Sequence, residues 1–413
     1  MNSVNKNTIN NTVMLYILTF AKLVLPLLTF PYLTRVLSVS SYGQLTYVKS
    51  CTNYMQLVVD FGFLLSATKD IARIVNKKEE VSEICSRVTF AKIILSFICF
   101  IVYVIMIIMI PILNNNVTFS ILSIFPIILS IFLFDYYFRG IEKMHILTIR
   151  FIIVKIISTV LTLLFVKSDN DLILIPIFDI LSSFVAIGST ILYLKKENIH
   201  IYVNIHLIKS SFNEIKRSAV YFFSDIASTA FTLINTFLIG LFLTADDVAY
   251  WGVAYTLISA VQSMYNPISN GIYPTMVKTK SFGLIKKVLY IFIPITIAGV
   301  IFCYFSAPMI INIINGSQYY SSVGVFRGLL LVLLFGFPAI ILGWPTLGAI
   351  DREKEVTFTT ILSAIIHVTG LCILILLNRF NIYSIAITRS ITEFFIFILR
   401  AKYVFKYRNE FSD

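Results

Sequence analysis

The chain has 413 residues, 58% of them hydrophobic and 13% charged, with a mean hydropathy of +0.88. About a quarter of the residues in a soluble globular domain are charged, so this composition excludes one and indicates an integral membrane protein. The formal charge of +12 fits a nucleic-acid binder or a membrane protein with basic loops; the placement of the basic residues decides for the second.

Apolar runs long enough to cross about 30 Å of hydrocarbon as helix recur along the whole chain. Their approximate limits are 13–34, 43–65, 88–112, 119–138, 146–167, 172–194, 219–243, 249–274, 288–307, 325–348, 358–378 and 381–405. The first, from Val13 to Leu33, is too long for a signal-peptide core and lacks a small-residue cleavage site, so it is expected as a retained span. Pro26 and Pro31 bend it, and a tight Ser41-Tyr42-Gly43 turn is expected to lead into the second. Alternate connections are basic: Lys69, Arg73, Lys77, Lys78 and Arg87 in one, Lys195, Lys196, Lys209, Lys216 and Arg217 in another, Lys278, Lys280, Lys286 and Lys287 in a third. The opposite side holds Arg35, Lys167, Arg327 and Arg379, at or near span ends. By the positive-inside rule this gives twelve spans with both termini cytoplasmic, and no nucleic-acid partner.

Connections on the outer side are short, such as the Asn run near Asn114 and the TADD segment from Thr244. The longest connection, Lys195 to Ser218, divides the spans into two six-helix lobes, 1–202 and 203–413. Within it Ile205, Ile208, Phe212 and Ile215 recur at helical spacing with Lys209 and Lys216 off that face. An interfacial linker helix at about 203–218 is expected, with a solvated loop as the alternative. LSVSSYGQLTYV from Leu37 aligns faintly with LTADDVAYWGVA from Leu243, which suggests parallel repeats and two bundles around a central cavity.

The five cysteines, Cys51, Cys85, Cys99, Cys303 and Cys372, form no close pair, and the four histidines no metal-binding cluster. No phosphate loop, dinucleotide fingerprint or nucleophile elbow occurs. Neither catalytic residues, a cofactor nor a metal site is expected.

Charges inside the spans are the functional candidates. A charge at the bilayer centre costs about 2.5–3.5 kcal/mol, so it normally faces protein or water. Lys22, Lys155 and the pair Arg389 and Glu393 lie near mid-membrane, Lys49 and Asp179 in the outer half, and Asp225 in the inner half. Arg35 and Arg327 lie near outer ends. Arg389 and Glu393 either neutralise one another at i, i+4 or line a cavity. Asp60 and Asp135, at inner helix ends, suit solvation or capping, and Lys92 suits snorkelling to the surface. The balance is cationic: Lys22, Arg35, Lys49, Lys155, Arg327 and Arg389 would favour an anion such as a phosphate. Asp60, Asp179, Asp225 and Glu393 are candidates for ion coupling. Pro26, Pro31, Pro267 and Pro338 are candidate hinges, with static kinks as the alternative.

PLLTFPYLTRVL from Pro26, then SYG, then DFGFLLSATKDIAR from Asp60 resemble the N-terminal signature of the Wzx-type bacterial polysaccharide (O-antigen or capsule) flippases, a branch of the multidrug/oligosaccharidyl-lipid/polysaccharide exporter superfamily. NPISNGIYP from Asn266 and the segment between Gly316 and Glu355 are similar to that family's second half. The resemblance implies a two-lobed, twelve-helix bacterial inner-membrane transporter, not an enzyme. It would move undecaprenyl-diphosphate-linked oligosaccharide from the cytoplasmic to the outer leaflet by alternating access. The implied coupling ion is H+ or Na+, and a polysaccharide polymerase and a chain-length regulator are implied partners beside membrane lipid. Arg35, Asp60, Gly62, Lys69 and Arg327 match positions that the family usually fills likewise, with Lys69 standing where Arg is common. The AEK-like triplet common in span eight is here Ala254, Tyr255 and Thr256, so Lys22, Lys49 and Lys155 are expected to supply the positive field. The alternatives are a drug or small-solute antiporter of the same fold, or a membrane polysaccharide polymerase or glycosyltransferase.

Overall fold

The computed structural model describes residues 3–202 and 207–412, except for the side chains of 3–9, 224–225 and 227–232. Every regular element among them is helical. Nine stretches among the described residues are long and apolar enough to cross a membrane: Asn10–Val36, Lys78–Met109, Val117–Gly140, Met144–Phe165, Asp169–Lys196, Phe282–Asn315, Ser322–Ile350, Glu353–Leu376 and Ile382–Lys406. The expected spans at 43–65, 219–243 and 249–274 are not among the nine. The first is rich in Ser, Thr, Asn and Gln, and the last is split in two. The chain is thus an all-α, multi-pass membrane protein that forms two compact units, Met1–Leu241 and Phe242–Asp413.

The N-terminal unit comprises α1 (Ser3–Val36), α2 (Val39–Asp60), α3 (Phe63–Arg73), α4 (Lys78–Met109), α5 (Pro111–Asn114), α6 (Val117–Leu122), α7 (Phe125–Leu129), α8 (Asp135–Gly140), α9 (Met144–Phe165), α10 (Leu174–Lys196) and nearly all of α11 (Ile208–Phe242). α1 packs on α9, α9 on α10, α2 on α4 and α3 on α8. One buried cluster joins Phe63, Ala67 and Ile71 of α3 to Val88 and Ala91 of α4 and to Tyr136 and Phe138 of α8.

The turn after α1 is not the expected Ser41-Tyr42-Gly43. The reversal falls at Leu37–Ser38, and those three residues form the start of α2. Ser38 decides this, because its hydroxyl accepts the Ser41 N–H at 3.2 Å while its own N–H donates to Asp169 Oδ1 at 2.8 Å. Two N-terminal backbone donors are thereby satisfied. Thr244, at the position the faint repeat aligns with Ser38, does the same for the helix beginning at Ala245: its hydroxyl accepts the Asp247 N–H, and its own N–H donates to Asp247 Oδ2.

At its other end α2 stops on two left-handed residues, Phe61 (φ 39°) and Gly62 (φ 72°). A Cβ on Gly62 would stand 2.8 Å from the Phe222 backbone nitrogen and 2.6 Å from the Tyr221 Cβ, so glycine is required both by conformation and by space. That approach fastens α3 to α11, with Phe61 stacked on Phe222 at 4.1 Å and the hydroxyls of Ser66 and Ser218 2.7 Å apart. The described part of the expected linker helix, from Ile208, is continuous with α11; residues 203–206 lie outside the described residues.

The C-terminal unit comprises α12 (Ala245–Ser263), α13 (Tyr265–Thr279), α14 (Phe282–Asn315), α15 (Ser322–Ile341), α16 (Glu353–Leu376) and α17 (Ile382–Lys406). α15 is its axis and packs on α12, α14 and α17. Small residues let α17 come close: a Cβ on Gly328 would lie 3.2 Å from that of Ala386, and Ser390 donates to the Gly328 carbonyl at 2.6 Å.

The prolines act less uniformly than expected. Pro26 and Pro31 lie inside α1, and Pro338 inside α15 just before a π-helical turn, Leu342–Leu347. Pro267 does not break its span, since the break is at Met264 and Pro267 sits in the first turn of α13. A first-turn N–H has no acceptor within the helix, so proline costs little there. Just before that π turn the Ala339 carbonyl accepts Arg400 at 2.6 Å, and Arg400 also donates to Thr360 at 3.0 Å.

Candidate functional site

The N-terminal unit encloses a cavity of about 400 Å³ between α1, α2, α6, α7, α9 and α10. Its apolar wall includes Pro26, Phe119 and Ile175, and its polar groups are Lys49, Thr52, Asn53, Gln56, Ser123, Lys155 and Asp179. Thus Lys49, Lys155, Asp179 and Pro26, candidates spread over four helices, meet around one space. The sequence supplies these groups at helical spacing: Lys49, Thr52, Asn53 and Gln56 follow three and four residues apart and so share one face of α2.

Lys155 Nζ lies 3.6 Å from Asp179 Oδ1. The same oxygen accepts the Ser158 hydroxyl at 2.7 Å. The Lys49 ammonium makes no hydrogen bond or ion pair among the described residues. Two ammonium groups therefore face one carboxylate, a surplus of positive charge in a space of small-ligand size, roughly 300–1,000 Å³.

A polar chain leaves this cavity at Gln56. Its amide donates to Asp60 Oδ2 at 2.8 Å and lies 3.3 Å from the Ser130 hydroxyl. The other Asp60 oxygen accepts Lys92 at 2.8 Å. Lys92, expected to snorkel, is instead nearly buried against that carboxylate, which provides in place the counter-charge that a snorkelling lysine seeks outside.

The other candidates stand elsewhere. Lys22 lies over the Phe151 ring, 5.5 Å from its centre, and Arg35 is in the last turn of α1. Arg327 stacks on Tyr304 and donates to its carbonyl at 3.0 Å. The Asp225 side chain lies outside the described residues. Arg389 and Glu393 form an ion pair at 2.6 Å, both buried in the C-terminal unit. Beside them on α17, Thr392 meets His367 Nδ1 at 3.0 Å. Tyr255, in the triplet that departs from the flippase pattern, stacks on Trp251.

Sequence reasoning missed Ser158 and Gln56. Ser158 could have been found, because it follows Lys155 by one helical turn and shares its face. The Gln56–Asp60 bond carried a similar one-turn signal, at i, i+4.

Comparison with known proteins identifies the family and the fold. The profile described as "Polysaccharide biosynthesis protein" matches residues 8–280. The chain belongs to that family. Among the relatives of this chain, a "Putative O-antigen transporter" of Shigella dysenteriae is 26% identical, over 95% of this chain and 99% of its own. Another of the same description, from Escherichia coli (strain K12), is 27% identical, over 98% of each chain. Among solved structures, a lipid II flippase in an inward closed conformation superposes with a TM-score of 0.71 at 14% identity, over 97% of this chain and 87% of its own. An inward-facing multidrug transporter superposes with a TM-score of 0.62 at 12% identity, over 93% and 98%. At such identities the two structures show a shared fold. The polysaccharide branch anticipated from PLLTFPYLTRVL and its companion segments is the family found.

Proposed function

We propose that this protein is a flippase for undecaprenyl-diphosphate-linked oligosaccharide units, which it moves from the cytoplasmic to the outer leaflet of a bacterial inner membrane for O-antigen, capsule or related polysaccharide export. The observation that carries this reading is the N-terminal cavity, where Lys49 and Lys155 face one carboxylate inside a bundle of membrane-length helices. A surplus of lysine suits phosphate oxygens and disfavours a cationic drug. Full-length similarity to O-antigen transporters supports the substrate class. At about 400 Å³ the cavity takes a headgroup and not a whole glycolipid, so it is read as the diphosphate end of the path.

In this reading the chain crosses the membrane twelve times with both termini cytoplasmic, its lobes are 1–202 and 203–413, and transport proceeds by alternating access. Pro26, Pro31 and Pro338 are the places where helices bend. Coupling to H+ or Na+, with Asp60, Asp179, Asp225 or Glu393 as the responding group, and cooperation with a polymerase and a chain-length regulator belong to the same reading. Deleting the gene in its own host should leave lipid-linked repeat units on the cytoplasmic leaflet. Wild-type protein should restore surface polysaccharide, and a Lys49→Gln, Lys155→Gln double variant present at normal level should not. Surface polysaccharide at wild-type levels in the deletion strain would refute the proposal.

A further inference from the structure

We infer that Asp179 is a built-in stand-in for the substrate's phosphate, which holds Lys155 until a diphosphate displaces it and so lets the cavity distinguish a diphosphate from a monophosphate. The inference rests on the flippase reading above and concerns the same cavity.

Three observations carry it. First, the Lys155–Asp179 contact is loose. Its 3.6 Å exceeds the 2.7–2.9 Å or so of a charge-assisted hydrogen bond, whereas Arg389 and Glu393 close to 2.6 Å. The two side chains are also 40% and 29% exposed, against 7% and 10% for Arg389 and Glu393. They face the cavity and are not packed into the wall.

Second, the carboxylate has somewhere to stay. Ser158 donates to Asp179 Oδ1 at 2.7 Å, so when the ammonium turns to another anion the oxygen keeps a partner. Exchange then does not strand a polar group, the event that makes breaking a buried pair costly.

Third, Lys49 lines the same cavity, and its ammonium makes no hydrogen bond or ion pair among the described residues. It provides a first landing point. A diphosphate has enough anionic oxygens to engage Lys49 and still compete with Asp179 for Lys155, while a monophosphate on Lys49 has fewer to spare. The carboxylate also limits affinity, which a transporter needs if it is to release its cargo.

The test is binding of undecaprenyl diphosphate and undecaprenyl phosphate, without sugars, to the full-length protein in lipid nanodiscs at a temperature well below the melting transition of every variant. Asp179→Asn should bind the diphosphate about tenfold tighter, equal to ~1.4 kcal/mol, and the monophosphate tighter still, so that the preference narrows. Ser158→Ala removes the resting partner and should weaken diphosphate binding. A residue that merely supports the cavity would move both variants in the same direction. Weaker or unchanged binding by Asp179→Asn, or an unaltered preference, overturns the inference. If neither Lys49→Gln nor Lys155→Gln weakens diphosphate binding, the cavity is not the substrate site, and the failure lies in the flippase reading of it. Should the lysine variants weaken binding while Asp179→Asn does not tighten it, that reading stands and the stand-in alone falls.

Discussion

Each of the two units holds an ion pair inside its membrane-length helices, Lys155 with Asp179 in one and Arg389 with Glu393 in the other, and these two pairs are built in opposite ways. In the C-terminal unit Arg389 and Glu393 sit one turn apart on α17, 2.6 Å from each other and almost wholly buried. Their partners come with the helix, and α15 closes over them through glycines. In the N-terminal unit Lys155 and Asp179 come from different helices, stand 3.6 Å apart and face an open cavity with a second lysine. A pair on one helix cannot change its spacing when helices move, whereas a pair across two helices can. The first arrangement suits a fixed core and the second a place where something else binds.

That contrast can be tested by removing one carboxylate from each unit. Glu393→Gln takes the counter-charge from a buried arginine and should cost about 3–5 kcal/mol, read as a large fall in melting temperature. A double change of Arg389→Met and Glu393→Leu should recover most of the loss, because an apolar pair of similar volume has no charge to desolvate. Asp179→Asn should cost about 1 kcal/mol or less, since its lysine is hydrated. Equal losses at the two sites would end the comparison.

The N-terminal unit is not loose everywhere, and Gly62 marks its rigid point. Gly62→Ala forces a Cβ against the Phe222 backbone at a positive φ, and should cost about 1–3 kcal/mol. Protease protection of the α3 to α11 contact would report it. Lys49→Gln should change stability by no more than about 0.5 kcal/mol, for want of a partner to lose, yet reduce transport in a complementation assay. The smallest effect is expected at the surface of the C-terminal unit. There, hydrogen bonds from Arg352 hold the Glu410 carboxyl below its ordinary range. The contribution is present above that range and fades as pH falls through the lowered value. Glu410→Gln should shift the melting temperature slightly at low salt and not at high salt.

Parts of the site were legible in the sequence because of an energetic rule that needs no fold. Lys49, Lys155 and Asp179 were singled out since charge in a membrane-length segment must face protein or water. The same rule also picked out Lys22 and Arg327, which lie on aromatic rings and are not part of the cavity lining. Depth along a helix does not say which way a side chain faces, and that direction separates the two groups. Lys92 was misread for a related reason. Its nearness to a helix end suggested water, but the partner that holds it, Asp60, is 32 positions earlier in the chain.

What the sequence determined by itself is what composition and local spacing control. The membrane class follows from hydropathy, the all-helical architecture from apolar runs of span length, and the family from the order of its segments. Local chemistry could have placed the Ser38 and Thr244 caps, because a cap involves residues only three apart, though the turn was read three residues late. Tertiary structure alone decided that Lys49, Lys155, Ser158 and Asp179 share one cavity, that Gly62 must be glycine, and that Lys155 and Asp179 stand 3.6 Å apart. Each depends on where separate helices come to lie against one another, and packing between distant segments is set by the whole bundle.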